Sequence, residues 1–241
     1  MRFSFIISSL LFCLLLSACE SDTISPQDTR LGIDYFPLKV GNYAEYRLED
    51  IRYSLAGPPD TLNYLLREVV ADSFPGEGGE IVYRLERFSR LTEADSWQLD
   101  SIWTARKSTR RLVVVENNVP YIKLVFPFSS GLTWDGNALN AKEPRFYELS
   151  PTDTTLFAEI DSPLDSLLRE NSLTVLQEIS QDTIITEVRQ FETYVKDVGL
   201  FYKKNLRLEY CASSPECIGL EIIEGGRSYR QTLIRYGNEN N

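Results

Sequence analysis

The chain has 241 residues, with 25 Lys plus Arg against 35 Asp plus Glu, a formal net charge of −10. That length allows one large domain or two small ones, and the negative field repels phosphate backbones, so no nucleic acid is expected as a partner. There is no histidine, which removes Ser-His-Asp and Cys-His nucleophile systems, histidine acid–base chemistry and histidine-ligated metal sites together.

The first element is Met1-Arg2 followed by an apolar run from Phe3 to Leu16, interrupted only by Ser4, Ser8 and Ser9. This is a signal-peptide layout. As a helix the run spans roughly 21 Å, short of the ~30 Å hydrocarbon core, so a permanent transmembrane helix is the weaker reading. Leu16-Ser17-Ala18-Cys19 comes next, and here the chain resembles the bacterial lipoprotein family, whose lipobox reads Leu, a small residue, Ala or Gly, then Cys. The resemblance implies cleavage after Ala18, diacylglycerol on the Cys19 thiol and acylation of the new amine. Residues 1–18 are then a signal peptide, and the membrane is a partner through the N-terminal lipid. The expected address is the bacterial cell envelope, lipid-anchored at the outer membrane. Several acyl chains hold a protein firmly where one binds marginally. The alternative is an ordinary secretory signal with Cys19 incidental; Cys13 leaves with the peptide in either case. Residues 19–34 are polar, contain Pro26 and show no apolar period, as a lipidated flexible tether would.

From residue 35 to 241 the dominant period is two, as in a single β-rich domain. Ala44, Tyr46 and Leu48 alternate with Glu45, Arg47 and Glu49; Ile81, Tyr83 and Leu85 alternate with Val82, Arg84 and Glu86; Leu206, Leu208 and Tyr210 alternate with Asn205, Arg207 and Glu209. One-sided strands of this kind belong to antiparallel sheets. Turn signals at Gly57-Pro58-Pro59-Asp60, Gly76-Glu77-Gly78-Gly79, Asn117-Asn118 and Gly225-Gly226 separate roughly ten strands, the last two short enough for tight hairpins. Ser162-Pro163-Leu164-Asp165 resembles a capping box, and Leu164, Leu167 and Leu168 would share one face of a short helix running to about Glu170. The expected fold is mainly β: a curved antiparallel sheet or partial barrel with one short helix near 163–170. Phe36-Pro37-Leu38 with Gly41 recurs as Phe126-Pro127-Phe128 with Gly131, 90 residues on; two similar sheet halves would produce this, and so would two similar strand entries. YFPLKVGNYAEY (35–46) and DVGLFYKK (197–204) resemble segments of uncharacterised β-rich envelope lipoproteins, a resemblance that implies no activity.

Cys211 and Cys217 bracket five residues and, outside the cytoplasm, are expected to form a hairpin disulfide; two free thiols are the alternative. Trp97, Leu99, Ser101 and Trp103 would share one face of a strand, with Asp100 opposite. Trp97, Trp103 and Trp134 are the candidate ligand contacts, since exposed aromatic faces stack on sugars; core indoles are the competing assignment. Arg106, Lys107, Arg110 and Arg111 form a basic cluster at or beside a turn, suited to lipid head groups or anionic glycans, or simply a solvated turn. No phosphate-loop, dinucleotide or calcium-loop spacing occurs, so no metal or other cofactor is expected. Without a catalytic signature, the leading expectation is a non-catalytic, lipid-anchored envelope protein that binds an envelope protein, a lipid or a glycan. A carrier of lipophilic molecules would need a dry cavity beneath residues 163–170. A carboxylate-based glycan hydrolase would need two acids roughly 5–9.5 Å apart in an aromatic-lined cleft.

Overall fold

A computed structural model describes residues 31–151, 160–180 and 184–240. The expected signal peptide, the lipobox-like segment with Cys19 and most of the expected tether lie outside the described residues. The alternating segments form twelve strands: β1 (Asn42–Ser54), β2 (Gly57–Pro75), β3 (Ile81–Arg90), β4 (Gln98–Lys107), β5 (Arg111–Glu116), β6 (Val119–Val125), β7 (Thr133–Asp135), β8 (Phe146–Pro151), β9 (Ser172–Ile179), β10 (Thr186–Val195), β11 (Gly199–Tyr210) and β12 (Ile223–Asn238). They make one antiparallel sheet in the order β6-β5-β4-β3-β2-β1-β12-β11-β10-β9-β8-β7.

Each strand therefore pairs with its sequence neighbour, and the first pairs with the last. This is an up-and-down ring with one seam left, between β6 and β7. The seam is bridged without a regular ladder: Ile122 N donates to Gly136 O (3.0 Å), Trp134 Nε1 to Ile122 O (2.9 Å) and Asn140 Nδ2 to Pro120 O (2.8 Å). The sheet is thus nearly closed into a barrel. Register shifts in most of the pairings supply the bends that curl it.

Two turn signals act differently from expectation. Asn117 and Asn118 both have positive φ (50° and 65°) and close the tight β5–β6 hairpin, as asparagine in a primed turn should. Gly225 and Gly226 instead lie inside β12, opposite Glu209 and Leu208. There Gly226, at φ 120°, brings the backbones so close that an added Cβ would sit 2.2 Å from Arg207 O. Gly57 to Asp60 likewise start β2 rather than a loop.

The barrel has two distinguishable ends. At one, residues 31–38 fold across the opening in a single 3-10 turn (Ile33–Tyr35). Lys107 Nζ donates to Ile33 O and Phe36 O, both at 2.7 Å, and Lys196 pairs with Asp34 at 3.2 Å. Tyr35 meets Phe128 edge-on, and Phe36 approaches Tyr194. Residues 31–34, expected in the tether, are thus packed onto the barrel. The other end carries the β1–β2 and β5–β6 hairpins and the long β11–β12 connection, and it is the mouth.

The predicted helix is a 3-10 turn (Asp165–Leu167) running into α1 (Leu168–Asn171). No capping box forms, because Ser162 Oγ donates to Leu233 O (2.6 Å) while accepting from Leu164 N (3.1 Å). Leu168 is buried with Ile160 among Phe191, Phe201 and Tyr202, and Leu164 and Leu167 pack against the same cluster.

Candidate functional site

Register and cavities together show which face points inward. Tyr46, Glu68 and Leu85 line the interior. Arg47, Glu49 and Arg230 are on the opposite face, where Glu49 pairs with Arg230 and Glu45 with Arg67 and Arg235. The inner face of β1, β2, β3, β5, β6 and β10 to β12 is apolar near the closed end and charged near the middle.

At its centre is Lys123, 7 % exposed. It lies at the register shift of β6, between Ile122 and Leu124. Its Nζ donates to Glu192 Oε1 on β10 at 2.7 Å and is 2.8 Å from Glu116 Oε1 on β5. Glu192, 1 % exposed, also pairs with Lys203 of β11 at 3.0 Å and accepts from Tyr194 Oη at 2.7 Å. Burial by itself would raise the Glu192 pKa, but Lys123, Lys203 and Tyr194 overcome it and hold the carboxyl well below its usual range. Glu116 is lowered in the same way, against burial, by the two lysines. Burial would lower Lys123, yet the two glutamates push it above the ordinary lysine value.

Glu68 behaves oppositely. Desolvation raises its pKa and Arg87, 3.4 Å away, only partly offsets this. The 20 % exposure that its side chain keeps is to the internal cavities, both of which it lines. Arg87 in turn stacks over the Trp103 ring at 3.7 Å.

These groups wall a cavity of about 290 Å³. Trp103, Tyr194 and Tyr229 supply aromatic surface, and Asn117, Asn205 and Gln231 supply amides. Asn117 and Asn205 are exposed and lie toward the mouth, so the cavity opens there. Arg227 stands beside them, held by Asp50 through hydrogen bonds of 2.6 and 2.8 Å. A second cavity of about 270 Å³ lies nearer the closed end and shares Phe36, Glu68, Leu85 and Leu200 with the first.

The three tryptophans are separated. Trp103 lines the cavity, and its indole N–H is buried without a hydrogen-bond partner among the described residues. Trp97 precedes β4, beneath Arg90 at 4.2 Å, between two residues that line a hollow of about 590 Å³ at the mouth. Trp134 is buried in the core against Tyr147, ring centroids 5.9 Å apart, at the β6–β7 seam. The expected common face of Trp97, Leu99, Ser101 and Trp103 is broken by a bulge: Phe88 pairs with Leu99 but Arg87 with Ser101, leaving Asp100 as the extra residue. Leu99 consequently points outward, 57 % exposed.

Cys211 and Cys217 are joined, with Cα atoms 5.7 Å apart, at the mouth end of β11. The basic cluster disperses: Lys107 turns inward onto residues 33 and 36, Arg106 faces Glu80 at 3.7 Å, and Arg110 and Arg111 stay exposed on the β4–β5 turn. No group of metal-ligating side chains occurs among the described residues. The interior ion network was missed from sequence, although its signal is there. A charged residue within an apolar strand run, as in Ile122-Lys123-Leu124 or Phe191-Glu192-Thr193, is rarely buried without a partner.

Fold and site together define a nearly closed twelve-stranded up-and-down barrel with a charge-paired, aromatic-lined interior. Comparison with protein-family models, with curated proteins and with solved structures finds no match to the chain.

Proposed function

We propose that the protein is a lipid-anchored component of the bacterial cell envelope, held by acylated Cys19, whose barrel acts as a binding module. The observation that carries the reading is the 290 Å³ interior cavity, open at the end away from residues 31–38. Clefts with convergent polar groups and strongly shifted titratable residues are where ligands bind. A barrel that itself spans lipid presents an outward apolar band; the ion pairs on the outer faces of β1, β2 and β12 support instead an anchor supplied by the N-terminal lipid. No helix among the described residues is long and apolar enough to cross a membrane. Among the described residues, Leu164, Leu167 and Leu168 pack against the cluster of Phe191, Phe201 and Tyr202, so the interior cavity, rather than the segment at 163–170, carries the binding reading.

Two experiments test the proposal. Cys19→Ala should abolish fatty-acid labelling and membrane retention; an unchanged membrane fraction would overturn the anchor. Native mass spectrometry of the full protein, extracted gently from its own envelope, should show a bound small molecule, and a bare monomer would count against a ligand-holding barrel.

A second reading, a carboxylate-based glycan hydrolase, is favoured by one observation: Glu68 is raised and Glu192 lowered within a single cavity, the divergence that assigns acid and nucleophile in glycosidases. Against it, Glu192 is clamped by two lysines. Hydrolysis of a glycan by the wild type that is lost in Glu68→Gln would establish it.

A further inference from the structure

Resting on the binding-module reading, we infer that the interior cavity takes a neutral, polyhydroxylated ligand of the sugar-ring class. The argument begins with charge. Every ionised side chain on the wall already faces an opposite charge: Lys123 is shared by Glu116 and Glu192, Lys203 joins Glu192, Arg87 faces Glu68 and Arg227 is held by Asp50. An ionic ligand would enter with no unpaired counter-charge waiting and would have to break a pair to obtain one, either the buried Lys123 pairs or the bidentate Arg227–Asp50 pair by the mouth, which is unfavourable.

An apolar ligand fails for the opposite reason. It would strip water from the carboxylate oxygens and ammonium protons of the wall and return no hydrogen bonds. A ring dense in hydroxyls satisfies both demands, because each hydroxyl donates to a carboxylate or amide oxygen and accepts from an ammonium or amide N–H. Its C–H faces match the Trp103 and Tyr229 surfaces on the same wall. Asn117 and Asn205, exposed at the mouth, are amides suited to meeting such a ligand first. The volume lies at the small end of ligand sites, ~300–1,000 Å³, which favours a ring-sized ligand over an extended chain.

The test titrates the full protein in detergent with glucose and N-acetylglucosamine, and with glucuronate and glucosamine as charged rings of similar size, read by saturation-transfer NMR and calorimetry. Neutral rings should bind about tenfold or more tighter than either charged ring, since one unpaired buried charge costs more than a factor of ten. Trp103→Leu should weaken the neutral rings; Asn205→Ala, at an exposed position that does not endanger folding, should weaken them several-fold. Charged rings binding as well as neutral ones, or neutral affinity untouched by Asn205→Ala, would overturn the inference. If no ring binds while the native protein carries a different adduct that Asn205→Trp expels, the binding module stands and the sugar assignment falls. With neither ring nor adduct bound, both fall.

Discussion

Lys123 shows what a single buried charge does to this barrel. Removing it takes the direct ion pair from Glu116 and leaves Lys203 as the cation shared by two buried carboxylates, so Lys123→Met should destabilise the fold by about 3–5 kcal/mol at neutral pH, measured by urea unfolding. The pH dependence follows from the directions of the shifts. Glu192 and Glu116 have folded pKa values below their unfolded value of about 4.3. Their contribution is complete above that pH and is lost as pH falls through the folded values. Lys123, raised above about 10.4, contributes fully below that value, and its share disappears only in strong alkali. Glu68, raised, opposes the acid trend by gaining stability on protonation. Wild-type stability should therefore decline below about pH 4.3, whereas Lys123→Met should grow more stable as Glu116 and Glu192, left with Lys203 alone, take up protons. Parallel pH profiles for the two proteins would rule out this account of the network.

At the scale of elements, β12 and the β11–β12 connection carry the clearest expectations. Gly226 occupies a backbone conformation closed to most side chains and has Arg207 O in the space of a Cβ, so Gly226→Ala should cost about 1–3 kcal/mol. Gly225→Ala, at a position without the positive φ, should cost less, and equal losses would contradict the special backbone at Gly226. The Cys211–Cys217 bridge closes a short loop, so Cys211→Ala with Cys217→Ala should lower stability by about 2 kcal/mol on the chain-entropy model. Hydrogen exchange should then rise in residues 212–222 but leave the β1–β12 ladder protected. The strands themselves were legible from period-two alternation. Their bulges were not, because a bulge at Asp100 or Lys123 is decided by how far the partner strand must bend, which single-strand alternation does not contain.

For the whole molecule, the seam is the point of least cohesion. β1 and β12 pair over the length of β1, while β7 pairs with β8 through only Thr133, Trp134 and Asp135. Amides of β6 and β7 should exchange before those of β1 and β12, and Trp134→Phe, which removes the N–H bonded to Ile122 O, should cost about 1 kcal/mol and speed that exchange further. Uniform protection around the ring would mean that the seam is as strong as the ladders. The repeated Phe-Pro segments also find their place at this scale. Each precedes the first strand of a six-strand run, β1 or β7, and Tyr35–Phe128 contact brings the two together at the closed end, an arrangement that duplication of a six-stranded unit would create.

By itself the sequence determined the class of fold, the Asn117-Asn118 hairpin and the Cys211–Cys217 pair, because alternation, turn chemistry and a short cysteine spacing are local properties read within a few residues. It also carries Leu16-Ser17-Ala18-Cys19, whose resemblance to a lipobox is local and needs no fold to be read. Only the tertiary structure decided that β1 meets β12, that Trp103 and Trp97 part company, and that Lys123, Glu116, Glu192 and Lys203 converge inside the barrel. Those facts depend on which strands become neighbours when the sheet curls, and a charge separated by 69 residues from its partner leaves no local trace beyond its unexpected position in an apolar strand.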